Sequence, residues 1–223
     1  MGETEDVMRA IVIGAGNVGI MVVKRLIEWK DEVILIEKDK DIAENLADKL
    51  DCTVINGDGS DPETLKKAQV EEADVIIALT DNDQSNIIIG LMARTFADIK
   101  TMIKITKPDF IPISRKLGFD NIITPSVTAS VQASYLTRGL NILELVNLVR
   151  REAKFYHLSA GENLHEKKIV DLAIPKDALL FAIYRQKDFL IPKGDVEIRK
   201  DDELVFILKE TALEELKNAL GVK

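Results

Sequence analysis

The chain has 223 residues, of which 46% are hydrophobic and 30% charged; that length and balance suit one large globular domain plus a small one and exclude a disordered chain. Its net charge is −8, with the acidic surplus in the first 140 residues and near balance after them, which excludes a nucleic-acid-binding surface built on Lys and Arg. The single cysteine, Cys52, rules out an intrachain disulfide and a cysteine-based metal site.

The opening residues, Met1-Gly-Glu-Thr-Glu-Asp6, lack the basic and apolar regions of a signal peptide. The apolar run 87–92 stops at Arg94, far short of the roughly 20 residues that span a bilayer. The reading is a cytoplasmic protein with no membrane insertion of its own and no metal site.

In chain order, β-branched runs at 9–13, 32–36, 52–55, 74–79 and 101–105 alternate with amphipathic stretches near 17–29, 40–50, 62–69 and 83–97. This is the pattern of repeated βαβ units and a parallel sheet. The strand runs are apolar at successive positions, as strands covered by helices on both faces should be. Asp61-Pro62-Glu63 marks a helix start, with proline in the first turn. A short sixth strand is expected at 121–123. Pro125 then opens a helix that carries Val127, Val131 and Tyr135 on one face and Ala129 and Ala133 on another, more apolar surface than one sheet can cover.

From about residue 141 the rhythm changes. Strands are expected at 153–159, 179–184, 189–191 and 204–208, a hairpin turn at 184–189, and a closing helix at 214–220. The predicted fold is α/β: a Rossmann-like parallel-sheet domain over residues 1–140, followed by a small α+β domain over 141–223.

The chemistry-bearing motif is Gly14-Ala15-Gly16-Asn17-Val18-Gly19, which leaves the first strand and opens the first helix. Gly14 permits the tight turn, Gly16 lets backbone N–H groups approach a pyrophosphate, and Gly19 lets the helix pack close to the sheet. Glu37 ends the second strand 23 residues after Gly14, where an acid hydrogen-bonds a ribose diol and repels a 2′-phosphate; adjacent Lys38 softens that discrimination. Asp58 and Thr80 follow the third and fourth strands, where ligands of open α/β sheets bind, although each residue type also serves as a turn or cap.

An acid/base set for hydride transfer is missing near this motif. His157 and His165 both fall in the second domain, and no tyrosine has a lysine four positions on. A small NAD-dependent oxidoreductase is therefore the runner-up to a non-enzymatic nucleotide sensor.

The residues Ile11-Val-Ile-Gly-Ala-Gly-Asn-Val-Gly19, Val33-Ile-Leu-Ile-Glu-Lys-Asp39, Asn56-Gly-Asp-Gly-Ser-Asp-Pro-Glu-Thr-Leu65 and Glu72-Ala-Asp-Val-Ile-Ile-Ala-Leu-Thr80, with Asp83 and Asn86, resemble the K⁺-conductance regulatory family, the RCK/KTN proteins of the TrkA type. So do Lys116-Leu-Gly-Phe-Asp-Asn-Ile-Ile-Thr-Pro125 and, in the second domain, Ala182-Ile-Tyr-Arg185, Ile191-Pro192 and Lys200-Asp-Asp-Glu-Leu204. The resemblance implies that Gly14, Gly16, Asn17, Val18, Glu37, Asp58 and Thr80 line a site for NAD(H), ATP or ADP, with Ala15, Gly19, Lys38, Gly59, Asp81 and Lys104 around them. Lys104 stands where many relatives carry arginine near a phosphate, keeping the charge but losing the bidentate fork. The resemblance also implies homo-oligomers, dimers to tetramers or larger rings, assembled through helices around 109–140 and docked beneath a membrane K⁺ transporter subunit of Trk/Ktr type.

Overall fold

A computed structural model describes residues 7–141, 143–144 and 153–222. The acidic start at residues 1–6 and much of the stretch 141–152, where the sequence places the domain boundary, lie outside the described residues. The chain divides into two compact units, Met1–Ala133 and Ser134–Lys223.

The first unit is a six-stranded sheet in the order β3-β2-β1-β4-β5-β6, parallel throughout. Its strands are β1 (Arg9–Ile13), β2 (Glu32–Glu37), β3 (Thr53–Asn56), β4 (Val75–Ala78), β5 (Lys100–Lys104) and β6 (Asn121–Ile123). The helices are α1 (Asn17–Glu28), α2 (Lys40–Ala47), α3 (Pro62–Lys67), α4 (Asp83–Phe96), α5 (Phe110–Lys116) and α6 (Pro125–Leu136).

Successive strand residues point to opposite faces. Ile11, Ile13, Ile34, Ile36, Ile76 and Ala78 therefore join Leu65 and Ile89 in one buried cluster, while Ala10, Val12, Val33, Leu35, Val75 and Ile77 join Val23, Leu26 and Leu46 in another. Helices cover both faces, which is why β1, β2 and β4 carry unbroken apolar runs at Ala10–Ile13, Val33–Ile36 and Val75–Ala78.

The expected strands and helices are present, with no end displaced by more than three residues. The periodicity did not show α5, because Pro112 interrupts it. A proline in the first turn is tolerated, since that turn's N–H groups have no intrahelical acceptor. None of the residues of α6 is buried; Val127, Val131, Tyr135 and Leu136 are 45–49% exposed.

The second unit is an antiparallel sheet in the order β7-β10-β8-β9, made of β7 (Ala153–Ser159), β8 (Ala178–Arg185), β9 (Asp188–Leu190) and β10 (Glu203–Lys209), followed by α7 (Leu213–Leu220). Leu158, Leu180, Ile183, Leu204, Phe206 and Leu208 form its core with Leu216 and Leu220 of the helix. Leu179, Phe181, Phe155 and Phe189 stay exposed. The β8–β9 hairpin turns on Gln186 and Lys187, with Gln186 in the left-handed region at φ 57°. Beside that turn Asp202, 1% exposed, receives two bonds from Arg185, at 2.9 Å from Nε and 2.8 Å from Nη2, and a third from the Arg199 amide at 2.8 Å.

Candidate functional site

The strand order 3-2-1-4-5-6 reverses between β1 and β4, and an open α/β sheet has its crevice at that point, beyond the carboxyl ends of the strands. A cleft of about 400 Å³ lies there. Gly14, Ala15, Gly16, Glu37, Lys38, Asp58, Gly59, Thr80 and Asp81 line it, together with Gly57, Asn82, Ser85 and a floor of Ile13, Ile36, Leu79 and Ile89.

The glycine loop is built as its spacing predicts. Gly14 has φ +100°, and a Cβ there would stand 2.9 Å from the Thr80 nitrogen. A Cβ on Gly19 would stand 1.9 Å from the Gly14 carbonyl oxygen, so this glycine is what lets α1 start where it does. A Cβ on Gly16 would meet only Asp81 Oδ1, at 3.9 Å, so nothing in the fold requires a bare backbone there except access from the cleft.

The helix ends differ in a way that bears on charge. Asp39, Asp61 and Asn82 cap α2, α3 and α4 through their side chains, whereas Gly16 offers α1 no side-chain acceptor and the first turn of α1 carries no acid. The N–H groups and the positive dipole end of α1 are thus left for an anion.

Glu37 faces this loop across the crevice. Its Oε2 accepts from the Ala15 amide at 2.6 Å and its Oε1 from the Asp39 amide at 2.8 Å. A carboxylate has about four lone-pair positions, so Glu37 both fixes the loop and keeps capacity for ligand hydroxyls. Asp58 accepts from the Ser60 hydroxyl at 2.6 Å and its amide at 2.9 Å, and pairs with Lys38 at 3.2 Å. The Ser60 bonds first, and then Lys38, hold the Asp58 carboxyl below its ordinary range.

Asn86, fully buried, organises the far wall. Its Oδ1 accepts from the Thr80 amide at 3.0 Å and the Thr80 hydroxyl at 2.7 Å, and its Nδ2 donates to the Thr80 carbonyl at 3.0 Å and the Lys104 carbonyl at 2.9 Å. All four hydrogen-bonding positions of the amide are used. Thr80 therefore lines the cleft with its hydroxyl already committed. Asp83 accepts from the Thr106 and Lys107 amides at 2.9 and 2.8 Å. Burial pushes its carboxyl up, but these bonds outweigh burial and leave it below the ordinary range.

Four of the expected residues do not line the cleft. Asn17 and Gly19 are in the first turn of α1, and Val18 borders a separate surface groove with Met21. Lys104 is buried at the end of β5 and reaches the cleft only through Asp81, whose Oδ1 lies 3.0 Å from its Nζ. Asn82 and Ser85, not singled out in the sequence, stand at the β4–α4 junction on the same edge of the sheet. Position after a strand was the signal available for them.

The parallel sheet, the reversal in strand order and the glycine loop at that reversal define a Rossmann-type domain, here followed by a small antiparallel α+β unit. Residues 10–125 match the TrkA-N domain family and residues 156–221 the TrkA-C domain family; the chain belongs to the TrkA family. It is 30% identical over 227 residues to the Trk system potassium uptake protein TrkA homolog of Pyrococcus abyssi, covering 97% of this chain and 99% of that one. To the TrkA homolog of Archaeoglobus fulgidus it is 31% identical over 220 residues, covering 96% of this chain but 50% of the relative, so it spans only half the length of some curated relatives. The structure described as the GsuK channel bound to NAD shares the fold, with a TM-score of 0.52 and 15% identity, covering 98% of this chain and 40% of that one. Among the described residues no helix is long and apolar enough to cross a membrane.

Proposed function

We propose that this protein is a cytoplasmic regulatory subunit that binds NAD(H) or ATP/ADP and gates a membrane K⁺ uptake transporter of Trk/Ktr type. The observation that carries the reading is the uncapped N-terminus of α1, bared by Gly16, opposite Glu37 in one crevice. Family membership supports the transport role, and the NAD-bound GsuK channel shows that a protein of this fold holds such a ligand. Residues 1–140 hold the nucleotide and residues 141–223 form a ligand-sensing domain. A nucleotide moves a gate only through different affinities for two arrangements of the assembly.

Binding without catalysis fits the side chains present. Glu37 and Asp58 are engaged by amides, by Ser60 and by the ammonium group of Lys38. Among the described residues lining the cleft there is no histidine, tyrosine or cysteine.

Glu37 selects a ribose with a free 2′-hydroxyl, because a 2′-phosphate would stand against a carboxylate already fixed by two amides. Calorimetry is expected to show NADH binding at least about tenfold more tightly than NADPH. Equal affinities would remove Glu37 from the ribose subsite.

The stripe of Val127, Val131 and Tyr135 on α6, each still 45–49% exposed, supports assembly through this helix. Light scattering is expected to report a dimer, a tetramer or a larger ring for the natural protein. Replacing Val131 and Tyr135 together by Asp puts two unpaired charges into that contact and should cost about 3–5 kcal/mol, enough to dissociate it. A monodisperse monomer for the unaltered protein at micromolar concentration would overturn both assembly and ring gating.

A further inference from the structure

The Lys104–Asp81 pair is lopsided. Lys104 sits at the end of β5 with its side chain 8% exposed, while the Asp81 side chain that meets it at 3.0 Å is 94% exposed. Leaving a buried ammonium without a partner is costly, whereas a carboxylate on the surface is solvated equally well elsewhere. The pair therefore holds Asp81 in place for the sake of Lys104, and Asp81 can leave at little cost once another anion takes its position.

That position lies in the cleft. Asp81 Oδ1 is 3.9 Å from where a Cβ on Gly16 would stand, the nearest atom to that position, and both residues line the cleft. Gly16 precedes the uncapped first turn of α1. The carboxylate thus sits between a buried ammonium and the positive end of a helix, the two groups that a ligand phosphate would seek.

We infer that Asp81 is a displaceable internal counterion: it occupies the anion position of the cleft, and a nucleotide phosphate evicts it and takes over Lys104. This inference rests on the reading of the cleft as a nucleotide site and deepens it. Asp81 is then not a ligand contact but a competitor that sets how strongly the site favours phosphate-bearing ligands over the bare nucleoside. Lys104 is the residue for which the two compete.

The test uses the full-length protein, with ADP and adenosine as probes in calorimetry at low salt. Asp81→Asn alters an exposed side chain and keeps its shape. It is expected to tighten ADP about three- to fivefold, the size of a weak ion pair, and to leave adenosine unchanged. Lys104→Met, its folding checked by circular dichroism, is expected to weaken ADP by about tenfold or more and again to leave adenosine unchanged. In the Asp81→Asn/Lys104→Met double variant the gain from Asp81→Asn should vanish.

An Asp81→Asn variant that binds ADP with unaltered or reduced affinity overturns the inference, the second outcome showing a direct ligand contact instead. Failure of both the natural protein and Asp81→Asn to bind any nucleotide overturns the reading of the cleft and this inference with it. Nucleotide binding with an unaltered ADP-to-adenosine ratio overturns the inference alone.

Discussion

Gly16→Val is expected to abolish nucleotide binding in a protein that still folds, while Gly19→Ala, three residues on and a smaller change, is expected to damage the fold. The added side chain on Gly16 would enter the cleft, meeting only Asp81 Oδ1 at 3.9 Å. The backbone there, at φ −67° and ψ 177°, is open to any residue. Affinity should fall on the order of a hundredfold or more, with melting within about 2 °C of the natural protein. The methyl group on Gly19 would instead be driven to 1.9 Å from the Gly14 carbonyl oxygen, a backbone atom that has no flexible end to yield. Overpacking of that severity costs at least about 3 kcal/mol, a drop in melting temperature of about 6–12 °C for a chain of this size. Calorimetric titration and thermal melting on both variants separate the roles. A Gly16→Val protein with undiminished affinity would remove the phosphate from the start of α1.

Asp202→Ala is expected to unfold the second unit at a much lower temperature while leaving the first intact. Asp202 is 1% exposed and holds Arg185 through two bonds, with the Arg199 amide as a third donor. Removing Asp202 leaves the Arg199 amide without its acceptor and Arg185, 23% exposed, with its bond to the Glu197 carbonyl alone, at about 2–3 kcal/mol. The same group makes the unit acid-sensitive. Burial pushes the Asp202 carboxyl up, but Arg185 and the Arg199 amide outweigh it and hold the folded carboxyl below its ordinary range. A carboxyl lowered by folding adds stability above its unfolded pKa, and that stability is lost as pH falls through the folded one. Scanning calorimetry at neutral and acid pH should therefore show the second unit's transition falling with acid in the natural protein. Asp202→Ala should lack that contribution. An unchanged transition in the variant would mean that Arg185 finds equal compensation elsewhere.

Much of this could be read from the chain alone because it depends on near neighbours in sequence. Four apolar residues in a row at 10–13, after Arg9, suit a strand buried on both faces. Asp61 before Pro62 starts a helix whose cap is then found at 3.2 Å from the Glu63 amide. The three glycines of residues 14–19 state a turn, an access point and a close approach through their spacing. The acid at Glu37 likewise follows from its place at the end of a strand.

What could not be read depends on partners many residues away. Asn86 was visible as part of a family signature, but its four bonds to Thr80 and Lys104 exist only because β4 and β5 lie side by side in one register. Asn82 and Ser85 join the cleft because α4 begins at the same sheet edge as the glycine loop. The burial of Lys104 at the end of β5 and its pairing with Asp81 depend on two strands meeting, which no local spacing announces. The lack of buried residues on α6 was equally invisible, since an amphipathic stripe does not say which surface will cover it. Sequence by itself determined the elements other than α5, the fold class and the glycine loop, because period, spacing and caps act within a few residues. Only the tertiary structure decided which charges meet and how deeply each is buried, because desolvation and Coulomb energies depend on what the folded sheet places opposite each group.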